Sequence, residues 1–400
     1  MGVGVVSADA QVAAAGAQGQ GSAFRLTAGD PVAAAEFGRS VAIDGDLVAV
    51  GAGGATADSV DNAGAVYLYG RQGRVYVPEA KLIAPDATGG AEFGRAVAIQ
   101  GNMVFVGARF AQAGDFDEAG AVYVFKKYQG SWHLEEKIIS PDPENRDNFG
   151  RALAIQGNLL VVTARKESDE EGAAYVFVDQ GGLWTYQQKL TASDGAPRDF
   201  FGQSVAVQGN LMAIGARNAD PGAAGAVYLF SHSAEGWEEI AKLKAPELER
   251  NKNDQFGFTV AIAGDTIAVG ARRADPDSLK DAGAAYVYTL DGNFADLVAR
   301  LTPSDASEGD EFGQSIAIAG NVLAVGAWKD AIDGNEDQGS VYLFRRMGNR
   351  WIETGTITAS DGMAGDEFGY SLSAFGNRMV TGAHFADATA GAAYVLPLKI

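Results

Sequence analysis

The chain has 400 residues, a formal net charge of −20 and no cysteine. Disulfide frameworks and thiolate chemistry are therefore excluded, and so acidic a chain lacks the basic surface that nucleic acid requires. No apolar run approaches the roughly 18–20 residues of a membrane helix.

Residues 1–20 are mostly Ala, Gly, Val and Gln with no Lys or Arg, so they lack the charged start of a secretory signal. A flexible tail over 1–21 is expected. FRLTAGD (24–30) then reads as one isolated strand. EFGRSVAIDGDLVAVGA (36–52) holds two runs of β-formers joined by Asp44-Gly45, the signature of a tight β-hairpin. GAVYLY (64–69) adds a third strand, and a fourth ends at Leu82.

The unit then repeats. Its hairpin occurs seven times, with phenylalanines at 37, 93, 149, 201, 256, 312 and 368, spaced 56, 56, 52, 55, 56 and 56 residues apart. From each phenylalanine to the glycine of the following Gly-Ala pair is 14 residues, with Thr163 replacing that glycine in the third copy. Each third strand carries a tyrosine: Tyr67, Tyr123, Tyr175, Tyr228, Tyr286, Tyr342 or Tyr394. Trp132, Trp184, Trp237 and Trp351 stand six residues before the Leu or Ile of their fourth strands. Four short antiparallel strands per unit, without helical periodicity, describe a propeller blade.

The seventh unit stops after its third strand. Its fourth is expected from the front of the chain, because Leu26 lies 11 residues before Phe37, as Leu82 lies before Phe93. An all-β fold follows: one seven-bladed β-propeller over 22–400, closed by the N-terminal strand, which leaves no open edge in the ring. Within the hairpin, Gly38, Ser40, Ala42, Ala49 and Gly51 share one face and Phe37, Val41, Val48 and Val50 the other. These are packing devices for neighbouring blades.

The Phe-Gly, Gly-Ala and Gly-Ala-Ala-Tyr-Val-Phe signatures over residues 22–400 resemble the FG-GAP repeat of integrin α-subunit propellers, and more closely its short bacterial form. The resemblance implies an extracellular or cell-surface propeller used for adhesion, ligand binding or assembly. Integrin-type repeats carry a calcium loop between their first two strands. Here that place holds only turns such as Asp44-Gly45 or Gln100-Gly101, so calcium is not carried over to it.

Function is expected in the variable loops between strands two and three and between four and one, which share one end of the ring. The residue after each Gly-Ala pair is Gly53, Arg109, Arg165, Arg217, Arg272, Trp328 or His384. With Arg39, Arg95 and Arg151 after Phe-Gly, these suggest a basic collar suited to carboxylate or sulfate groups. Cross-strand pairing sets Glu92 opposite Arg109 and Glu367 opposite His384, so internal ion pairs compete with that reading. Asp333, Asn335 and Asp337 alternate in DGNEDQG (333–339), a spacing suited to calcium, although an EF-hand's final glutamate is absent. Trp328, with Phe110 and Phe385, offers aromatic surface near the mouth or, equally, a buried loop anchor.

The leading expectation is a non-catalytic binding propeller recognising a polysaccharide or protein at the loop face. His133, His232 and His384 fall in different places and no nucleophile motif is present. The alternatives are a polysaccharide lyase, with an arginine neutralising a uronate and Tyr370 or His384 as base, and a self-assembling surface subunit.

Overall fold

A computed structural model of the protein describes residues 5–6, 12–18, 22–220, 222–246, 253–292 and 294–398. Every Phe-Gly hairpin forms as its spacing predicts. In blade 1, Phe37–Asp44 pairs with Leu47–Ala52, then Ala65–Gln72 and Val75–Leu82 follow in antiparallel order. Blades 2 to 6 repeat this order over residues 93–138, 149–190, 201–243, 256–301 and 312–359. Two short turns, Glu167–Glu170 and Pro276–Ser278, interrupt the loops with helical character.

Blade 7 consists of Phe368–Phe375, Arg378–Ala383 and Ala392–Pro397. Its outer strand is Ser22–Leu26, with Phe24 opposite Val395, Arg25 opposite Tyr394 and Leu26 opposite Ala393. The first strand of the ring therefore completes its last blade, as expected. Val12–Gln18 pairs along Ser22–Leu26 and touches Ala359 through Ala17, and Val5–Val6 pairs with Lys81 and Leu82. The rest of the expected tail lies outside the described residues.

The core lies between blades. Phe37, Val48 and Val50 of blade 1 pack with Val380 and Val395 of blade 7, while Ala42 and Ala49 turn toward Phe93 and Val104 of blade 2. The small face is obligatory: a Cβ at Gly51 would strike the Gly94 carbonyl of the next blade. Ser40 reaches the same carbonyl, donating from Oγ at 2.7 Å.

The repeated tyrosine has a second task that sequence spacing does not reveal. In several blades its hydroxyl donates to an aspartate that follows the outer strand of the preceding blade: Tyr67 to Asp30 at 2.7 Å, Tyr123 to Asp86 at 2.7 Å and Tyr228 to Asp194 at 2.8 Å. A lysine of the tyrosine's own blade joins each, Lys81, Lys137 and Lys242 in turn. At the closure Arg25 takes the lysine's place, 3.0 Å from Asp361 beside Tyr394. Burial pushes the Asp86 carboxyl up, but Lys137 and Tyr123 outweigh it and hold it below the usual range. This latch therefore stabilises above the ordinary carboxylate range and fades as pH falls through the folded value. Tyr123→Phe is expected to cost about 1–2 kcal/mol in a denaturant titration. An unchanged midpoint would reduce the latch to a surface contact.

Candidate functional site

Three stacked rings surround the loop-side mouth of the channel, each drawn from one register position of the hairpin. The innermost is Arg39, Arg95, Arg151, Gln203, Phe258, Gln314 and Tyr370, which line a cavity of about 300 Å³. The second holds the residues after Gly-Ala. The third, preceding Phe-Gly, is Glu36, Glu92, Asn148, Phe200, Gln255, Glu311 and Glu367. Because each Phe pairs with the Ala of Gly-Ala, every member of the third ring faces one of the second.

The collar is thus placed as one ring, but its members differ in what they meet. Arg109 makes a two-pronged pair with Glu92 at 2.8 and 3.0 Å, and Arg39 pairs with Glu36 at 2.8 Å. Arg272 donates to Gln255 at 2.8 Å and Gln314 at 3.1 Å, and pairs with Glu311 of the next blade at 3.1 Å. Glu311, only 4% exposed, also accepts from the Trp328 indole and Lys329, each at 3.1 Å. Trp328 is therefore a half-buried anchor, packed edge-on against Tyr370.

His384 is buried beneath Tyr370 and Phe385, with Nδ1 3.3 Å from Glu367. Burial, reinforced by Arg39 and Arg95, pushes the imidazole down to about 2. Burial and Asp337 push Glu367 up to about 8. At neutral pH the two form a neutral contact rather than an ion pair.

Blades 3 and 4 differ. There Asn148 and Phe200 occupy the glutamate positions. Arg165 reaches only the Gln203 amide, at 3.1 Å, and Arg217 has no hydrogen bond or ion pair among the described residues. Their guanidinium carbons lie 5.4 and 4.7 Å from the Phe200 ring, so one aromatic ring meets two cations. Asn148 is 0% exposed with neither amide atom paired, and Nε of Arg151, Arg165 and Arg217 is buried without a partner. Burial and mutual repulsion push Arg165 down to about 9 and Arg217 to about 10, and hold Arg151 well below its ordinary value. The nearby Glu170 carboxylate opposes this shift at Arg165 and Arg217 without outweighing it, so the protein neutralises this arc of the mouth only in part.

Asn148 and Phe200 depart from the glutamate that opens four of the seven hairpins, and that departure is the signal the sequence carries for this arc. The loop with Asp333, Asn335 and Asp337 is built as a tight turn. Ile332 and Asn335 bridge across it, as Ala57 with Val60 and Ala113 with Phe116 do in blades 1 and 2. The Asn335 amide nitrogen donates to Gln338 at 2.9 Å, and both aspartates are exposed. Among the described residues, no three His, Cys, Asp or Glu side chains converge as a metal site, and no helix is long and apolar enough to cross a membrane.

Integrin alpha-2 of Mus musculus is 30% identical over 129 residues, which span 29% of this chain and 11% of that protein. A crystal structure of Saccharomyces cerevisiae Sqt1 shares the fold with a TM-score of 0.50 at 10% identity, covering 89% of this chain and 82% of the other. The FG-GAP repeat model matches seven times, at 21–69, 76–125, 132–177, 184–230, 237–288, 296–344 and 351–396. Each matched unit joins the outer strand of one blade to three strands of the next, the same overlap that closes the ring. The chain belongs to the FG-GAP repeat family, as an integrin-like seven-bladed propeller.

Proposed function

We propose that the protein is a non-catalytic binding module, working outside the cell or at its surface, whose channel mouth takes an acidic ligand. Uronate or sulfated glycans and acidic protein segments have the required chemistry. The observation that carries this reading is the arc of Arg151, Arg165 and Arg217, which Glu170 offsets only in part, together with the buried, unsatisfied Asn148 opposite Arg165. A carboxylate or sulfate there meets two guanidinium groups from different blades, each a charge-assisted donor.

The test is Arg165→Ala with Arg217→Ala. Binding of a polyuronate or sulfated glycan, measured by calorimetry, is expected to weaken by about 2–4 kcal/mol, and added salt to weaken the parent's binding. Stability at pH 7 is expected to hold or rise. A base whose folded pKa is depressed costs stability while charged, and that cost is relieved only as pH climbs through the folded value. A double variant that melts early, from a parent that binds no acidic glycan, overturns the proposal.

A second reading, uronate β-elimination, draws on Tyr370. Burial pushes its phenol up, but Arg95, Arg39, Arg151 and Arg272 together draw it down. The Tyr370 phenolate would take the C5 proton α to the uronate carboxyl, the freed electron pair would form the C4=C5 double bond as the C4–O bond breaks, and the departing oxygen would take a proton from water. Unsaturated product from polyuronate would favour this reading, and retention without cleavage the binding one.

Calcium at Asp333, Asn335 and Asp337 is a separate proposal, resting on three oxygen-bearing side chains at alternate positions. Chelator is expected to lower the parent's melting temperature and to leave Asp337→Ala unaffected. A parent indifferent to chelator leaves the loop a plain turn.

A further inference from the structure

The opposite end of the ring carries a cavity of about 920 Å³ between blades 3 and 4, the size of a site for an extended ligand. Its floor is Leu159, Val176 and Val178, and its rim is rich in amides, including Asn158, Gln187 and Asn210. His232 closes one side, its ring 5.1 Å from that of Trp237. On a chain of net charge −20, Glu235 is the single carboxylate among the lining residues.

Comparison with two other blade junctions shows what this groove lacks. Between blades 1 and 2, Glu79 on the outer strand and Lys127 on the next blade's third strand meet at 2.6 Å and span the gap. Three residues before the closing leucine, Glu79 corresponds to Gln187. Four residues after the tyrosine, Lys127 corresponds to His232. The Gln187 amide turns back to the Thr185 carbonyl at 3.3 Å instead of crossing to His232. Between blades 4 and 5 the same two positions are Ile240 and Leu290, both packed against one apolar cluster. One junction is closed by charge and another by apolar packing. Between blades 3 and 4, Gln188 crosses to the Trp237 backbone at 2.8 and 2.9 Å and Gln156 accepts from Gly209 at 2.7 Å, while Gln187, Asn158 and Asn210 stay along the rim.

We propose that this groove binds a neutral oligosaccharide. Apolar floor suits the C–H faces of sugar rings, and planar amides can both donate to and accept from vicinal hydroxyls. A charged polymer has no counter-charge here, which separates this site from the acidic-ligand mouth and makes it independent of that reading.

The experiment titrates the full chain with neutral hexasaccharides of glucose, mannose, galactose and N-acetylglucosamine, following binding by calorimetry at low and high salt. At least one is expected to bind with little salt dependence. Asn158→Ala with Asn210→Ala should weaken it roughly tenfold or more. Gln187→Glu with His232→Lys should rebuild the ion pair of the first junction, close the groove and abolish binding while the melting temperature is kept. Arg165→Ala with Arg217→Ala should leave this binding unchanged. If no hexasaccharide binds, or if a binder is indifferent to both groove variants, the proposal is overturned.

Discussion

Deleting residues 1–28 is expected to lower the melting temperature by on the order of 5–10 °C, whereas deleting only 1–18 shifts it little, because it removes the flanking strands Val5–Val6 and Val12–Gln18 but leaves the closing strand paired to blade 7. The larger deletion removes Ser22–Leu26, and with it the strand paired to Ala392–Pro397. Leu26 and Ala23 are both 0% exposed, and Phe24 packs edge-on against Tyr76 of blade 1. Arg25 holds Asp361 at 3.0 Å and Asp387 at 2.6 Å, tying blade 6 and a blade 7 loop to the closing strand. Burial opposes its charge, but Tyr394 and Asp387 outweigh it and raise its pKa overall. The loss is on the order of 5 kcal/mol in buried apolar contact alone, before the exposed strand edge begins to associate. Leu26→Ala isolates part of it and is expected to cost about 2–5 kcal/mol. If the two truncations melt together, the closing strand contributes nothing that the ring needs.

Closure was legible because it depends on counting: the Leu26-to-Phe37 interval matches those inside the chain. Hairpin pairing was legible for the same reason, so Glu92 opposite Arg109 followed from register alone. What register cannot show is contact between blades. Arg272 is paired by Glu311, 39 residues further on and in the next blade, and each latch tyrosine is satisfied by an aspartate belonging to the previous one. The collar looks uniform along the chain because Arg109, Arg165, Arg217 and Arg272 occupy one slot. It divides in space because the glutamates and glutamines that answer them come from two directions, and blades 3 and 4 have no carboxylate in either.

Replacing Asn148 by glutamate should convert blade 3 into a copy of blade 2. Asn148 faces Arg165 as Glu92 faces Arg109, since Phe149 pairs with Ala164 as Phe93 pairs with Ala108. A carboxylate there would neutralise Arg165 and remove a buried amide whose two polar atoms have no partner. The expected gain is about 1–3 kcal/mol at pH 7, reduced by any strain from the extra methylene. Its pH dependence follows from the two groups involved. The new glutamate's folded pKa is depressed, so its contribution is present above the unfolded value near 4.3 and lost as pH falls. The pair also lifts Arg165 from about 9 back toward its ordinary value, so the advantage shrinks again once alkaline pH discharges the parent's arginine. Asn148→Gln adds the same bulk without charge and should show none of this gain. The same carboxylate should repel an acidic glycan and weaken its binding at least tenfold. A variant that is stabilised yet still binds the glycan as tightly as the parent would place the ligand away from Arg165. One that is destabilised at pH 7 while Asn148→Gln is tolerated would mean that the arc carries no uncompensated charge.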